Sequence, residues 1–409
     1  MRIAVLNQFY KPDLAPTGHL AASLAEHRAK KGDRVTVVTS LGGYVPDSPL
    51  ETTQGDGNLQ IIRLWTPRLG KARALHRIID YAFFYFQALL RFLFLPAQDV
   101  IISLTTPPFI AWAGVLHKFL HPDARLVLWN MDSYPEILER TGVLSEGGLM
   151  SRTLRMFNKT LFSHLDYLVC LDNAMCQLLN TNYRSEKSAF SSAVIPNWEP
   201  IEQFSSVQSE ARSSQVFDLD LRDQFVVLYL GNAGFGHRFE TVVDAATALQ
   251  DKPVVFLFVG GGKKWQELKS IKERFQLTNL HLRPYVPKEM TPDVMAHADC
   301  ALITLNESAL GLISPSKLHS NLAMSLPVIY IGPEEGNVDQ AIESYGCGLS
   351  VRHGEDQKVV AFIENLRTDM RLLEYYQRNA RRAFEQAYND GVTLPQFDEI
   401  IDSLGPSGG

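Results

Sequence analysis

The residues best suited to bind an anion form a glycine-rich loop that follows an apolar run. In YLGNAGFGHRFETVV, glycines stand at 231, 234 and 236, and a helical pattern is expected to begin near His237. Free backbone N–H groups and a helix N-terminus attract anions, and Arg238 could supply a full charge. The loop lacks both the G-x-G-x-x-G dinucleotide fingerprint and the Lys-Ser/Thr pair of a Walker loop. We therefore predict a phosphate site here, with a purely structural turn as the alternative.

A second cluster, FVGGGKKW, also follows an apolar run. Gly260 opens the turn, and Lys263 and Lys264 come directly after it. One of these lysines could reach a bound anion, although a solvated surface pair is the commoner arrangement.

Lys317 stands in a third loop, within the segment LISPSKLHSNLAMS. Ser314 or Ser316 could cap a helix that runs to Ser325, which would place Lys317 in the first turn. A cation there opposes the helix dipole unless it meets a bound anion. The position therefore favours a functional lysine over a chance one.

Carboxylates follow another apolar run, in LVLWNMDSYPEILER. Asn130, Asp132 and Glu136 surround a turn that contains a proline. Carboxylates beyond a strand can orient hydroxyl groups or accept a proton. The alternative is that Asp132 or Ser133 only caps the following helix.

The first loop, NQFYKPDLAPTGHL, leads through two prolines to Gly18 and a helical pattern. A glycine there lets a substrate approach the helix N-terminus closely, although a simple strand-to-helix connection would look the same. His19 and His237 are expected to be ordinary loop residues unless the loops line a cleft.

These loops must be held by regular structure, and strand-length apolar runs alternate with helix-length segments. The alternation predicts an α/β fold with two Rossmann-like, doubly wound parallel sheets. A chain of 409 residues is also too long for one hydrophobic core. The expected strands are 2–6, 34–39, 100–104, 125–129 and 167–171 in the first half, and 225–230, 254–259, 280–282, 301–304 and 328–331 in the second.

The domain boundary is expected at the turn IPNWEP, which precedes a polar, serine-rich stretch. We therefore predict domains over 1–200 and 201–390, with a C-terminal helix over 391–404 that returns to the first. Ligands of open parallel sheets bind beyond the carboxyl ends of the strands. The loops after Leu6, Leu230, Val259 and Thr304 should accordingly face a cleft.

Charge and cysteine content argue against several classes of function. The net charge is -6, so no overall basic field attracts nucleic acid. The four cysteines have no C-x-x-C spacing and are expected to be reduced core residues rather than metal ligands. The opening MRIAVLNQFYKP lacks the features of a signal peptide, so a cytoplasmic location is expected.

Residues 68–96 combine basic residues with an aromatic, leucine-rich run. The run is too often interrupted by polar residues for a confident transmembrane helix, and it favours a helix lying on an anionic membrane surface. The alternative is a pair of buried helices. The proposed contact residues are Lys71, Arg73, Arg77, Phe83, Phe84 and Phe86.

Taken together, these segments resemble the retaining GT-B glycosyltransferases of family 4, particularly the bacterial branch that builds exopolysaccharide, O-antigen and capsule units. The resemblance spans nearly the whole chain and depends on the order and spacing of its motifs. The motifs are YKPD with Gly18, TTPP at 105–108, MDSYPE with TGVL, IPNWEP, GNAGFGHRFET, the VGGG turn, and SPSK followed by LAMSLPVI.

The resemblance implies that the C-terminal domain binds a nucleotide-sugar, with UDP favoured, and that no metal or other cofactor is needed. Arg238 and Lys317 would be the diphosphate cations, the backbone at 283–286 would receive the base, and Asp132 would face the donor sugar. In this family the leaving diphosphate helps to take the acceptor proton in a front-face displacement. The implied donor contacts are Gly18, Gly231, Asn232, Gly234, His237, Arg238, Gly260, Lys263, Tyr285, Ser314, Ser316 and Lys317.

The resemblance also implies a hexosyltransferase that acts on a lipid-linked or cell-envelope polysaccharide acceptor, bound by the N-terminal domain at the inner face of the plasma membrane. One departure is that the family's two glutamates, eight residues apart, would fall near Leu312 and Ser320. Two other readings remain open. A nucleotide-sugar 2-epimerase of the same fold would need neither acceptor nor membrane, and a non-catalytic partner subunit would bind without turnover.

Overall fold

The computed structural model describes residues 1–13, 15–41, 53–67, 74–186, 188–205, 215–217, 219–287 and 290–406. The chain forms two compact units. The first comprises Met1–Ile195 and Leu394–Gly409, and the second comprises Pro196–Thr393. The last helix, Asp390–Leu404, belongs to the first unit from Leu394 onward.

An eight-stranded sheet forms the centre of the first unit, in the order β3-β4-β2-β1-β5-β6-β7-β8. All pairings are parallel except that between β3 and β4. Every residue of β5 is buried, as expected for a parallel strand covered on both faces. The strands are β1 Arg2–Leu6, β2 Arg34–Ser40, β3 Thr53–Asp56, β4 Leu59–Leu64, β5 Val100–Leu104, β6 Arg125–Trp129, β7 Tyr167–Cys170 and β8 Ser191–Val194.

Helices cover this sheet, and the C-terminal helix contributes to its core. The ring of Phe397 lies 4.6 Å from that of Trp129, measured between centroids. Buried Arg28 donates to Asp398 over 2.7 Å, which joins the first helix to the last. The helices of this unit are α1 Pro16–Lys30, α2 Ala74–Phe94, α3 Trp112–Leu120, α4 Glu136–Arg140, α5 Leu149–Phe162 and α6 Asn173–Tyr183.

The second unit has a six-stranded, fully parallel sheet in the order β13-β12-β11-β14-β15-β16. Its order reverses between β11 and β14, which is where Rossmann-like sheets bind ligands. A short hairpin, β9 Gln215–Val216 and β10 Leu219–Asp220, precedes it. The strands are β11 Phe225–Asn232, β12 Val254–Gly261, β13 Leu280–Arg283, β14 Cys300–Thr304, β15 Val328–Ile331 and β16 Gly348–Val351.

The remaining helices are α7 Ile201–Ser205, α8 Glu240–Ala248, α9 Trp265–Phe275, α10 Thr291–Ala296, α11 Lys317–Ala323, α12 Asn337–Tyr345, α13 Asp356–Thr368, α14 Met370–Ala387 and α15 Asp390–Leu404. The predicted α/β fold with two doubly wound parallel sheets is confirmed. Two helix limits were wrong: α8 begins at Glu240 rather than near His237, and α11 ends at Ala323 rather than Ser325.

Candidate active site

Two glycines create an open position at the carboxyl ends of β11 and β12. Gly231 and Gly260 are partners in the parallel register, with φ angles of 124° and 149°. A Cβ atom on Gly260 would lie 2.1 Å from the carbonyl oxygen of Gly231. Only glycine fits this close approach of β11 and β12, and Gly231 ends the strand at which the strand order reverses.

Lys317 extends its side chain over this position. A Cβ atom on Gly231 would lie 3.2 Å from Lys317 Cε. The ammonium nitrogen is 3.4 Å from the carbonyl oxygen of Asn232 and 4.9 Å from the centroid of the Tyr229 ring. Burial lowers the pKa of Lys317 to about 8. Within the described part of the chain no carboxylate pairs with Lys317, so its charge is available to an anionic ligand.

His237 lies beside Lys317 and is buried. Its Nδ1 is 2.7 Å from the carbonyl oxygen of Thr304 and therefore carries the hydrogen, while its Nε2 is 3.4 Å from Lys317 Nζ. Burial, followed by the charge of Lys317, lowers the pKa of His237 to about 3. The imidazole is therefore neutral at physiological pH, and His237 is a buried residue rather than a solvated loop residue.

Arg238 has a different environment from Lys317. Its guanidinium is exposed and lies 3.3 Å from a carboxylate oxygen of Glu240 and 3.9 Å from one of Glu307. Such exposed pairs are weak. Arg238 can therefore exchange these partners for a diphosphate at small energetic cost.

The other predicted donor residues of the second unit lie on neighbouring loops. Tyr285 is 59% exposed, and its hydroxyl is 3.5 Å from Asn232 Oδ1. Gly234 lies close to Asn232, since a Cβ there would be 3.0 Å from its Nδ2. Lys263 is exposed, whereas Lys264 forms an ion pair of 2.9 Å with Glu267.

The N-cap position of α11 falls on Ser316, one of the two serines predicted for it. The helical backbone angles of this residue leave its side chain without a capping bond. Ser314 has a buried hydroxyl for which the described residues offer no hydrogen-bond partner. Of the two positions that the resemblance assigns to glutamates, Leu312 is buried in the core and Ser320 donates to the Lys317 carbonyl.

Asp132 lies in the first unit, just beyond β6. Its backbone N–H donates to Thr105 Oγ1 over 3.2 Å, and burial raises the pKa of its carboxyl group to about 6. The residue helps to line a small recess together with Thr105, Asn130 and Tyr134. The N-cap of α4 is Pro135, so the capping alternative for Asp132 and Ser133 was wrong.

Glu136 has a structural role rather than a free carboxylate. Its Oε1 accepts hydrogen bonds from the Tyr183 hydroxyl over 2.6 Å, from Asn182 over 2.9 Å and from Arg155 over 3.3 Å. These bonds connect α4 with α5 and α6. Of the carboxylates predicted around this turn, Asp132 alone lines the recess.

Gly18 lies in the first unit within the first turn of α1. A Cβ atom there would be 3.1 Å from the backbone nitrogen of Tyr10. The glycine therefore allows α1 to pack against the loop after β1. This close packing explains why position 18 is a glycine, and no ligand contact is needed to explain it.

The predicted membrane segment is only partly described. Lys71 and Arg73 lie outside the described residues, as does the side chain of Arg77. An α2 apolar row is exposed to solvent and consists of Phe83, Phe86, Leu90 and Phe94. Among the described residues no helix is long and apolar enough to cross a membrane.

Phe84 does not belong to the α2 apolar row. It is fully buried, like Ala88 and Phe92 at the same helical spacing. The prediction that Phe84 contacts a membrane was therefore wrong, because this face of α2 packs into the core.

The sequence analysis did not predict an apolar surface that the structure shows on α5. Leu149, Met150, Met156 and Phe157 are exposed there. The helix sequence LMSRTLRMFNKTLF contains three cations and no acidic residue, which was the available signal.

The glycine pair and Lys317 lie next to the reversal of strand order in the second sheet, which is where open α/β sheets bind ligands. Residues 224–369 match the family model described as Glycosyl transferases group 1. The second unit therefore carries a group 1 glycosyltransferase domain, as the sequence resemblance predicted.

Individual proteins are similar to this chain over most of its length. The putative colanic acid biosynthesis glycosyl transferase WcaI of Escherichia coli (strain K12) is 26% identical over 416 residues, covering 97% of this chain and 98% of the relative. The probable glycosyltransferase WbjE of Pseudomonas aeruginosa is 24% identical over 344 residues, 83% of each protein. A solved structure described as trehalose-6-phosphate from E. coli bound with UDP-2-fluoro glucose has a TM-score of 0.72 at 12% identity and 100% coverage of both chains. The fold is therefore that of GT-B proteins.

Proposed function

We propose that the protein is a retaining hexosyltransferase that moves a sugar from a nucleotide-sugar to a lipid-linked or cell-envelope polysaccharide acceptor. The observation that carries the proposal is the Lys317 ammonium above the Gly231–Gly260 pair. A cation without a carboxylate partner among the described residues, at the end of a parallel sheet, suits the diphosphate of a donor.

The donor site would use charge from two residues and accessible backbone from the glycine loops. Lys317 would meet the diphosphate, and Arg238 would join it after leaving Glu240 and Glu307. The unpartnered hydroxyl of Ser314 is a further candidate contact. UDP is the first nucleotide to test, because the similar solved structure from E. coli is described as bound with UDP-2-fluoro glucose.

The proposed chemistry needs no covalent nucleophile and no metal ion. The bond between the sugar and the diphosphate breaks, the acceptor hydroxyl attacks from the same face, and its proton passes to the leaving diphosphate. Lys317 and Arg238 would stabilise the charge that develops on the leaving group, which is a large contribution when the cations are held in place beforehand. Asp132 is proposed to orient sugar hydroxyls, since a carboxyl with a pKa of about 6 can accept or donate a hydrogen bond near neutral pH.

The proposed acceptor is attached to lipid at the inner face of the plasma membrane. Two observations support a membrane-facing first unit: the exposed α2 apolar row and the apolar, basic surface of α5. The name of the E. coli relative, which refers to colanic acid biosynthesis, supports an envelope polysaccharide as the product.

A transfer assay tests this function. The purified protein is incubated with radiolabelled UDP-hexoses and bacterial lipid extract in the presence of EDTA, and the product is analysed by NMR. We expect label in the lipid fraction with the donor's anomeric configuration retained. An inverted product would contradict the mechanism, a new nucleotide-sugar formed without acceptor would indicate a 2-epimerase, and nucleotide binding without turnover would indicate a non-catalytic partner.

A further inference from the structure

The hydrogen bonds of His237 leave it little capacity to contact a ligand itself. Nδ1 donates to the Thr304 carbonyl over 2.7 Å, a contact across 67 positions of the sequence. The ring also packs against Tyr229 and Phe239, with centroids 5.7 Å and 6.1 Å away. Its remaining polar atom, Nε2, lies 3.4 Å from Lys317 Nζ.

We infer that His237 is a positioning residue, whose Nε2 accepts a hydrogen bond from Lys317 and holds the ammonium group above Gly231. The inference depends on the proposed function, in which the ligand of Lys317 is the donor diphosphate. It replaces the direct donor contact that the sequence suggested for His237.

The chemical form of His237 suits this role. A carbonyl oxygen can only accept, so the Thr304 bond fixes the hydrogen on Nδ1 and leaves the lone pair on Nε2. A neutral ring therefore attracts the lysine ammonium, whereas a protonated ring would repel it.

Lys317 needs such a partner because its side chain is long and flexible. The described structure gives the ammonium three contacts: the face of Tyr229, the carbonyl of Asn232 and Nε2 of His237. Tyr229 in turn donates from its hydroxyl to the Asn232 carbonyl over 2.9 Å. Loss of Nε2 would leave the cation free to rotate away, and a small displacement weakens an interaction with a leaving group.

Two substitutions of His237 distinguish the role of its Nδ1 from the role of its Nε2. His237→Asn can keep the bond to Thr304 but offers no acceptor at the Nε2 position, while His237→Gln extends an amide oxygen to that position. We expect His237→Asn to weaken UDP binding and to lower kcat/KM by roughly 10-fold, the cost of one charge-assisted hydrogen bond. His237→Gln should stay within about 3-fold of the wild type.

A double-mutant cycle with Lys317→Ala tests whether the effect passes through the lysine. We expect His237→Asn to have no further effect on UDP affinity in the Lys317→Ala background. Equal losses in both backgrounds, or equal losses for the Asn and Gln variants, would show a general structural role and overturn the inference. If the wild type binds UDP and His237→Asn binds it equally well, the inference fails while the proposed function stands; if the wild type binds no nucleoside diphosphate, both fail.

A measurement on the wild type does not depend on the folding of any variant. Nitrogen NMR of the histidine-labelled protein should show His237 as the neutral tautomer with hydrogen on Nδ1, and its Nε2 signal should move when UDP is added. The other tautomer, with hydrogen on Nε2, would overturn the inference.

Discussion

Lys317 and Arg238 are the two cations proposed to bind the diphosphate, and their surroundings differ. Lys317 has no carboxylate partner among the described residues, whereas Arg238 has a half-exposed side chain that is paired with Glu240 and Glu307. We expect Lys317→Ala and Arg238→Ala each to reduce kcat/KM for transfer by roughly 100-fold or more, as the loss of an electrostatic donor to a leaving group does. Lys269→Ala, on the exposed face of α9, is the matched control and should retain full activity.

Steady-state kinetics with equal amounts of folded protein measure these effects. Near-normal rates in both active-site variants would remove the proposed donor site.

The low pKa of Lys317 predicts that nucleotide affinity depends on pH. Burial lowers this pKa to about 8, and a bound diphosphate favours the ammonium form. UDP binding should therefore take up a proton near pH 8, and the dissociation constant should rise as the pH passes from 7 to 9. His237 does not titrate in this range, because its pKa is about 3, and the raised pKa of Tyr229 keeps its hydroxyl protonated.

Calorimetry in buffers of different ionisation enthalpy detects the proton uptake. Lys317→Arg, which stays charged, should lose most of the pH dependence. Equal affinity of the wild type at pH 7 and pH 9 would contradict the prediction.

Cys176 differs from the other cysteines. A hydrogen bond from Cys170 lowers the pKa of Cys176, and Cys176 is partly exposed. Burial raises the pKa values of Cys300 and Cys347. Iodoacetamide at pH 7 should therefore modify Cys176 first, as measured by peptide mapping over time, and faster modification of any buried cysteine would contradict this.

Site residues were predictable from the sequence where the loop needs glycine, because its backbone adopts positive φ angles. A glycine cluster directly after an apolar run indicated the loop that holds Arg238, and a cation in the first turn of a predicted helix indicated Lys317. The role of His237 was not predictable, because its partners Thr304 and Lys317 are distant in sequence and only the fold brings them together.

Among the elements, α2 shows that an amphipathic pattern locates a helix better than it assigns each face. Phe83 and Phe86 are exposed, whereas Phe84 between them is fully buried. We expect the double substitution Phe83→Ser and Phe86→Ser to reduce binding to anionic vesicles without lowering the unfolding midpoint.

Phe84→Ala should instead destabilise the fold by about 3–5 kcal/mol, because it leaves a core cavity.

Vesicle co-sedimentation and urea unfolding separate these two outcomes. Unchanged vesicle binding in the double variant would favour the alternative that this surface does not meet a membrane.

Strands that are buried along all or nearly all of their length were predictable from the sequence. The apolar runs of β5, β6 and β15 coincide with the expected ranges. Strands β4, β8 and β16 were missed, since LQIIRL, SSAV and GLSV contain polar or small residues at partly exposed positions. These segments pair through their backbone beside central strands, and a single-sequence hydrophobic pattern does not report such pairing.

At the scale of the whole molecule, the alternation of apolar runs and helices was sufficient for the fold class. Each of the two large sheets reverses its strand order at its own first strand, between β1 and β5 and between β11 and β14. This reversal places the loops of Gly231 and Lys317 together in the second unit, which explains why a glycine-rich sequence pattern indicated a site there.

Substrate identity depends on pocket shape rather than on element order, so the sequence left the donor base, the sugar and the acceptor open. The pairing of the C-terminal helix with α1 through Arg28 and Asp398 was equally dependent on long-range contacts.

Binding of a nucleoside diphosphate at Lys317 is the central claim, and calorimetric titration tests it most directly. The purified wild-type protein and Lys317→Ala are titrated with UDP, GDP, ADP and dTDP in the presence of EDTA. The account predicts that at least one nucleotide binds the wild type and that Lys317→Ala binds it roughly 100-fold more weakly. No binding by any of the four, or equal affinity in the two proteins, would contradict it.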